Sequence, residues 1–177
     1  MTEAQRSDWD RLPLDEPVML IRQVTGTYLQ TQTEKADTLD SGLQNEHHWP
    51  LPDDKTFQWR LKPVKTKGGT SCLLLNESTG HAATLTVTDP KTIPVTTPLM
   101  KTVDGDSGSL TQHWEISPIQ GVSGFWAIVP WISDNFALGP LNNACANDQW
   151  IVPTSNYGKP CSFFHAWRIL RCHEVVN

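Results

Sequence analysis

Four groupings of residues in this 177-residue sequence have the composition of a chemical site. Gly105-Asp106-Ser107-Gly108 gives a serine the neighbours of an acyl-transfer nucleophile, a role that needs a histidine base and an orienting carboxylate folded beside it. His47, His48 and His81 precede it, and Asp89 could orient one of them. His47-His48 with Asp53-Asp54 offers metal-ligand types, and Asp104 with Asp106 offers two carboxylates of the kind that cleave glycosides. The fourth grouping is aromatic. Trp49, Trp131 and Trp150 each lie among amides and carboxylates: Asn45-Glu46-His47, Ser133-Asp134-Asn135 and Asn147-Asp148-Gln149. A flat ring flanked by such groups suits a sugar, whose C–H face stacks on the indole while its hydroxyls bond to Asp and Asn.

Physical requirements weaken the first three. Ser107 follows Asp89 by only 18 positions, an interval in which chymotrypsin-like proteases place much of a second barrel. Gly, Asp and Ser are common turn formers, so the tetrapeptide reads as a turn between strands. Adjacent strand residues point to opposite faces, so His47 and His48 cannot share one ion without a special loop. Nothing specifies a second wall for a cleft around Asp104 and Asp106, and there is no Gly-rich phosphate loop. The expectation is a non-enzyme with no catalytic residue, no metal and no cofactor. For the loop tryptophans the alternative to sugar binding is structural, as staples that hold long loops to the core.

The elements that position these loops repeat. Trp59-Arg60-Leu61, Trp114-Glu115-Ile116 and Trp167-Arg168-Ile169 each set a Trp and a branched aliphatic two residues apart around a charged residue, the alternation of a strand with one buried face. The separations are 55 and 53 residues, the signature of an internal repeat. After Trp59 and Trp114 come Lys-Pro-Val64 and Ser-Pro-Ile119, then a Gly-containing turn, then the apolar strands Cys72-Leu-Leu-Leu75 and Phe125-Trp-Ala-Ile128. Val18-Met-Leu-Ile-Arg22, the turn Thr25-Gly26-Thr27 and Tyr28-Leu29 open the chain in the same way. The residues before each Trp also correspond: Phe57-Gln58, Gln112-His113 and His165-Ala166. Further strands are expected near 42–44 and at 82–88. Helical periodicity is absent and 13 prolines punctuate the chain, so an all-β domain with long loops is predicted.

Composition bounds the partners. The net charge of −5 argues against nucleic acid, whose phosphates need a basic face. No apolar run is long enough to span a bilayer, and residues 1–10 lack the apolar centre of a secretory signal, so a cytoplasmic protein is expected, one that could be released to act on other organisms. In that compartment Cys72, Cys145, Cys161 and Cys172 are reduced thiols; were the protein exported, Cys145 with Cys161 is the pair to test. Asn76-Glu77-Ser78 matches a glycosylation triplet. Residues 1–16 form an arm or strap over one domain spanning 17–177, with units of about 17–59, 60–114 and 115–172.

Threefold repetition closing on Trp strands resembles a β-trefoil, and Gln112-His113-Trp114 is similar to the Gln-x-Trp signature of ricin-B-type lectin domains. Phe57 and His165 replace the Gln in the other units. Repeats of 53–55 residues and Gly26-Thr27-Tyr28 are also similar to Kunitz-type and mycocypin trefoil inhibitors. The resemblance implies twelve strands, six closing a barrel and six capping it as hairpins. It further implies a lectin that binds glycans or glycoproteins in shallow pockets: Trp131, Asp134, Asn135 and Trp150 in the third unit, Asn45 and Trp49 in the first, and a silent second unit. Homodimerisation would add strength to weak pockets. The alternatives are a protease inhibitor inserting a loop, from 88–98 or 130–160, into its target protease, and a docking subunit of a toxin-like assembly.

Overall fold

The computed structural model describes residues 9–22, 25–31, 43–46, 53–66, 69–86, 97–103, 108–119, 121–132, 136–140, 151–154 and 165–174, with the backbone alone at 43–46, 69, 140 and 152–154. Twelve strands lie within them: β1 (Pro17–Arg22), β2 (Tyr28–Thr31), β3 (Leu43–Glu46), β4 (Trp59–Thr66), β5 (Gly69–Asn76), β6 (Ala82–Ala83), β7 (Leu99–Met100), β8 (His113–Pro118), β9 (Trp126–Pro130), β10 (Ala137–Pro140), β11 (Ile151–Thr154) and β12 (Trp167–Arg171). Six of them close a ring, because β1 pairs β4, β4 pairs β5, β5 pairs β8, β8 pairs β9, β9 pairs β12 and β12 returns to β1. The other six form three antiparallel hairpins, β2–β3, β6–β7 and β10–β11. This is the barrel and three caps that the trefoil resemblance implies. Closure leaves the barrel strands no open edge.

The repeated tripeptides are the reason it closes. Trp59, Trp114 and Trp167 are fully buried, and each indole N–H donates across to a hairpin carbonyl: to Leu29 at 3.0 Å, Ala83 at 3.0 Å and Leu138 at 2.9 Å. Each Trp therefore supplies core volume and ties its cap to the barrel. Burying 150–250 Å² of indole at about 25 cal/mol per Å² is worth roughly 4–6 kcal/mol per ring. Two residues on, the aliphatic partners face each other across strand pairs, Leu61 with Leu74, Ile116 with Ile128 and Ile169 with Leu20, and join the same core cluster. Cys72 sits opposite Trp114 in this core, fully buried, and burial pushes its thiol up to about 12.

Residues 9–16 add to one side of that cluster. Leu12 is buried, Trp9 and Leu14 are half-buried against it, and Leu14 bridges Leu61 while the Asp15 N–H donates to the Leu61 carbonyl at 3.1 Å. The strand expected at 82–88 is shorter. After Ala83 the Leu85 N–H turns to the Thr111 carbonyl, 2.8 Å away, instead of continuing the ladder.

One position per repeat, two residues before the Trp, is solved three ways. Phe57 packs edge-on against Tyr28 with ring centroids 6.3 Å apart. Gln112 donates from Nε2 to Thr84 Oγ1 at 3.1 Å and to the Lys101 carbonyl at 3.0 Å, and its Oε1 accepts the N–H groups of Val103 at 3.1 Å and Ser109 at 3.2 Å. His165 lies against Gly139, where a Cβ would fall 2.6 Å from the ring. The imidazole thus occupies the space that a side chain on β10 would need. Gly139→Ala is expected to cost about 1–3 kcal/mol through overpacking; a thermal midpoint equal to the parent's would show that the ring moves aside freely.

Candidate functional site

The tetrapeptide around Ser107 contributes one described residue, Gly108. Its φ of +68° lies in the left-handed region, and a Cβ there would stand 2.7 Å from Leu73 Cδ2. A side chain at that point would be strained by the backbone and would press on Leu73 of β5, so glycine is required there. Asp104, Asp106, Ser107, Asp89, His47 and His48 lie outside the described residues. Among the described residues no cluster of three or more His, Cys, Asp or Glu side chains could hold a metal, and no helix is long and apolar enough to cross a membrane. Cys72 and Cys172 are free thiols, whereas Cys145 and Cys161 lie outside the described residues.

The glycosylation triplet takes a structural role. Asn76 is fully buried at the end of β5, its Nδ2 donating to the carbonyls of Thr56 at 3.0 Å and Gln58 at 3.3 Å while its Oδ1 accepts from Ser78 N at 3.1 Å. A glycan on that nitrogen is incompatible with the folded chain. Asn76 sits opposite Trp59, and the residues in the corresponding place opposite Trp114 and Trp167 are Pro130 and Arg22, both also buried. The next residue in the chain carries the difference between units. Glu77 and Trp131 are held alike, their N–H groups donating to the carbonyls of Gln58 and His113, both at 2.9 Å.

From that shared anchor the two side chains diverge. Glu77 accepts from Arg60 Nε at 2.7 Å, and the chain behind it is a tight turn, with Gly80 N donating to the Asn76 carbonyl at 2.8 Å and Asn76 N to that of His81 at 3.0 Å. Trp131 is a half-buried ring leading into Ile132, which is 36% exposed. Asp134, Asn135 and Trp150 lie outside the described residues, but their chain neighbours are placed. Ala137 pairs with Thr154 and Pro140 with Ile151, so the segment after Asn135 enters the hairpin at one end and Trp150 is joined to Ile151 at the other. Three strand steps separate those ends, about 10 Å. In the first unit the backbone of Asn45 in β3 pairs with that of Leu29 in β2, and Trp49 lies outside the described residues.

Arg22 and His165, which the sequence marks only by their places in the repeat, are buried polar residues. Both are 1% exposed, on the two sides of the seam where β1 meets β12. The signal available was positional: Arg22 ends the strand equivalent to the one that Asn76 ends, and His165 stands two before a Trp, where Gln112 stands in the second unit.

No protein-family model and no curated protein sequence matches the chain. Solved structures do. A designed threefold-symmetric protein, ThreeFoil, superposes with a TM-score of 0.67 at 15% identity, covering 87% of this chain and 97% of that one. The Rhizoctonia solani agglutinin gives 0.64 at 19% identity over 90% and 96% of the two chains. A Macrolepiota procera ricin B-like lectin in complex with lactose gives 0.63 at 12% identity over 91% and 99%. The same fold is found as a part of larger proteins, covering 17% of a mosquitocidal holotoxin and 31% of an exo-β-1,3-galactanase from Clostridium thermocellum. At these identities the likeness establishes the fold, an all-β trefoil.

Proposed function

We propose that this chain is a non-catalytic carbohydrate-binding module with its main site in the third unit. The observation that carries the reading is the contrast between Trp131 and Glu77. The same backbone anchor presents a partly open indole in the third unit and an ion-paired carboxylate on a closed turn in the second. Trp131 provides the stacking plate, and Asp134 and Asn135, close behind it in the chain, provide hydroxyl partners. Trp150, joined to the far end of the β10–β11 hairpin, provides a second plate, so an extended oligosaccharide fits better than a single sugar. Asn45 and Trp49 form a lesser site in the first unit, and the second unit is silent. Two proteins of this fold, the Macrolepiota procera lectin in complex with lactose and SeviL bound to an asialo-GM1 saccharide, support the same class of ligand.

A glycan array with the purified protein tests this directly. Trp131→Ala is expected to weaken the best ligand tenfold or more, about 1.4 kcal/mol or above, as loss of a binding anchor does. Trp150→Ala is expected to affect long ligands more than short ones. An array with no specific binding, or binding that neither substitution changes, would overturn the proposal; the former would redirect attention to a protease panel.

A further inference from the structure

Three of the four large apolar side chains most open to water among the described residues belong to one small surface. They are Met100, Val103 and Leu110, exposed to 40, 50 and 57%. The buried amide of Gln112 brings them together: its Oε1 accepts from Val103 N at 3.1 Å and from Ser109 N at 3.2 Å, and its Nε2 donates to the Lys101 carbonyl at 3.0 Å. Ser109 precedes Leu110 and Lys101 follows Met100, so the three side chains rise from backbone segments fixed to one group. The fold does not ask for them. Leu110 opens a 3-10 turn before Trp114 whose counterpart before Trp59, Lys55–Phe57, opens on the exposed Lys55. Met100 is paired with Ala82 as Glu46 is with Tyr28 and Thr154 with Ala137, in each case one residue before the carbonyl that accepts the indole N–H. Lysine, glutamate and threonine at these places in the other units mean that the caps close equally well on polar residues there.

We propose that this face of the second unit, Met100 with Val103 and Leu110, docks a short apolar segment of another protein. A contiguous patch of large aliphatic side chains open to water is a surface that a partner covers. Its size selects the partner. Three partly exposed side chains offer a few hundred Å², whereas a stable protein pair needs about 800 Å² on each side. A second copy of the chain also brings its own net charge of −5 and is repelled, and an anionic membrane surface is disfavoured by the same charge. A peptide that lays down two or three aliphatic or aromatic side chains matches the area. The Gln112 ties hold the receiving backbone in place before the peptide arrives, which lowers the cost of binding. Of the described residues at 97–103 and 108–113, Lys101 alone is both charged and exposed, so a carboxylate beside the apolar side chains improves the fit. The second unit is silent toward sugars in the reading above, and the docking face stands whether or not the other units bind a glycan.

Random dodecapeptides displayed on phage and selected on the purified protein, then synthesised and measured by fluorescence polarisation, provide the test. The selected peptides are expected to share two or more aliphatic or aromatic residues. Leu110→Lys combined with Met100→Thr, which installs residues of the first and third units, is expected to weaken them tenfold or more while the midpoint of urea unfolding stays that of the parent. Should the pair disturb folding, Leu110→Ser alone decides, with a loss of threefold or more expected. Failure to select any peptide, or peptides that bind parent and variants equally, would overturn the proposal. So would sedimentation equilibrium showing a dimeric parent and a monomeric variant, which would assign the face to a second copy. Co-sedimentation of the parent but not the variant with phosphatidylcholine–phosphatidylserine vesicles would overturn it in favour of a lipid surface.

Discussion

Trp114→Ala is expected to lower the free energy of unfolding by roughly 3–5 kcal/mol, the range for truncating a fully buried large aromatic residue. The ring lies opposite Cys72 on one neighbouring strand and Pro130 on the other, so its removal opens a hole between three barrel strands at once. It also leaves the Ala83 carbonyl without the indole donor 3.0 Å away, and a buried acceptor without a partner adds to the cost. Unfolding in urea, with the slope held equal between variants, measures the loss. For a chain of this size the midpoint of thermal unfolding should fall by about 10 °C. Trp114→Phe separates the two causes, because it keeps most of the volume and loses only the hydrogen bond; about 1–3 kcal/mol is expected for it. An alanine variant as stable as the parent would mean that Trp114 does not hold the β6–β7 cap to the barrel. The equivalent hydrogen bonds at Trp59 and Trp167 predict losses of the same size there.

That the three barrel tryptophans are legible in the sequence, while the arrangement of the candidate loops is not, has a physical reason. A barrel core imposes the same requirement three times, a large ring and an aliphatic two residues later, and Trp59, Trp114 and Trp167 with Leu61, Ile116 and Ile169 meet it at near-constant spacing. Loops are under no such common constraint, since each carries its own contacts. Trp131 attracted notice as an aromatic among polar neighbours, yet its equivalence to Glu77 rests on two backbone hydrogen bonds that no side-chain pattern encodes. Proximity in sequence also grouped Trp131 with Trp150, which the hairpin register ties to opposite ends of β10–β11. Asn76 shows the converse, a triplet with a surface meaning in sequence and a buried role in the fold. The sequence places Arg22 at a strand end and His165 two before a Trp, but that both are buried follows only once the seam between the first and last strands is closed.

Gln112→Ala is expected to cost about 2–4 kcal/mol although it removes no apolar core. The amide is 1% exposed and uses both ends: Oε1 accepts from Val103 N and Ser109 N, and Nε2 donates to Thr84 Oγ1 and the Lys101 carbonyl. It therefore sews three separate segments, the stretch following β6, the stretch following β7 and the 3-10 turn Leu110–Gln112, onto one side chain. Alanine leaves two backbone donors and a carbonyl in want of partners, each worth about 1–3 kcal/mol where water cannot reach and less where it can, which sets the expected range below the simple total. The loss should be local as well as global. Amides of 97–103 should exchange faster while those of β4 and β12 keep their relative protection. Gln112→His provides a further comparison, since His165 fills the equivalent place only against a glycine. With Thr84 standing where Gly139 stands in the third unit, the imidazole has less room, and Gln112→His is expected to recover little of the lost stability unless Thr84→Gly accompanies it. Recovery by the single histidine variant, or a loss below about 1 kcal/mol for alanine, would mean that the amide is not the tie between these segments.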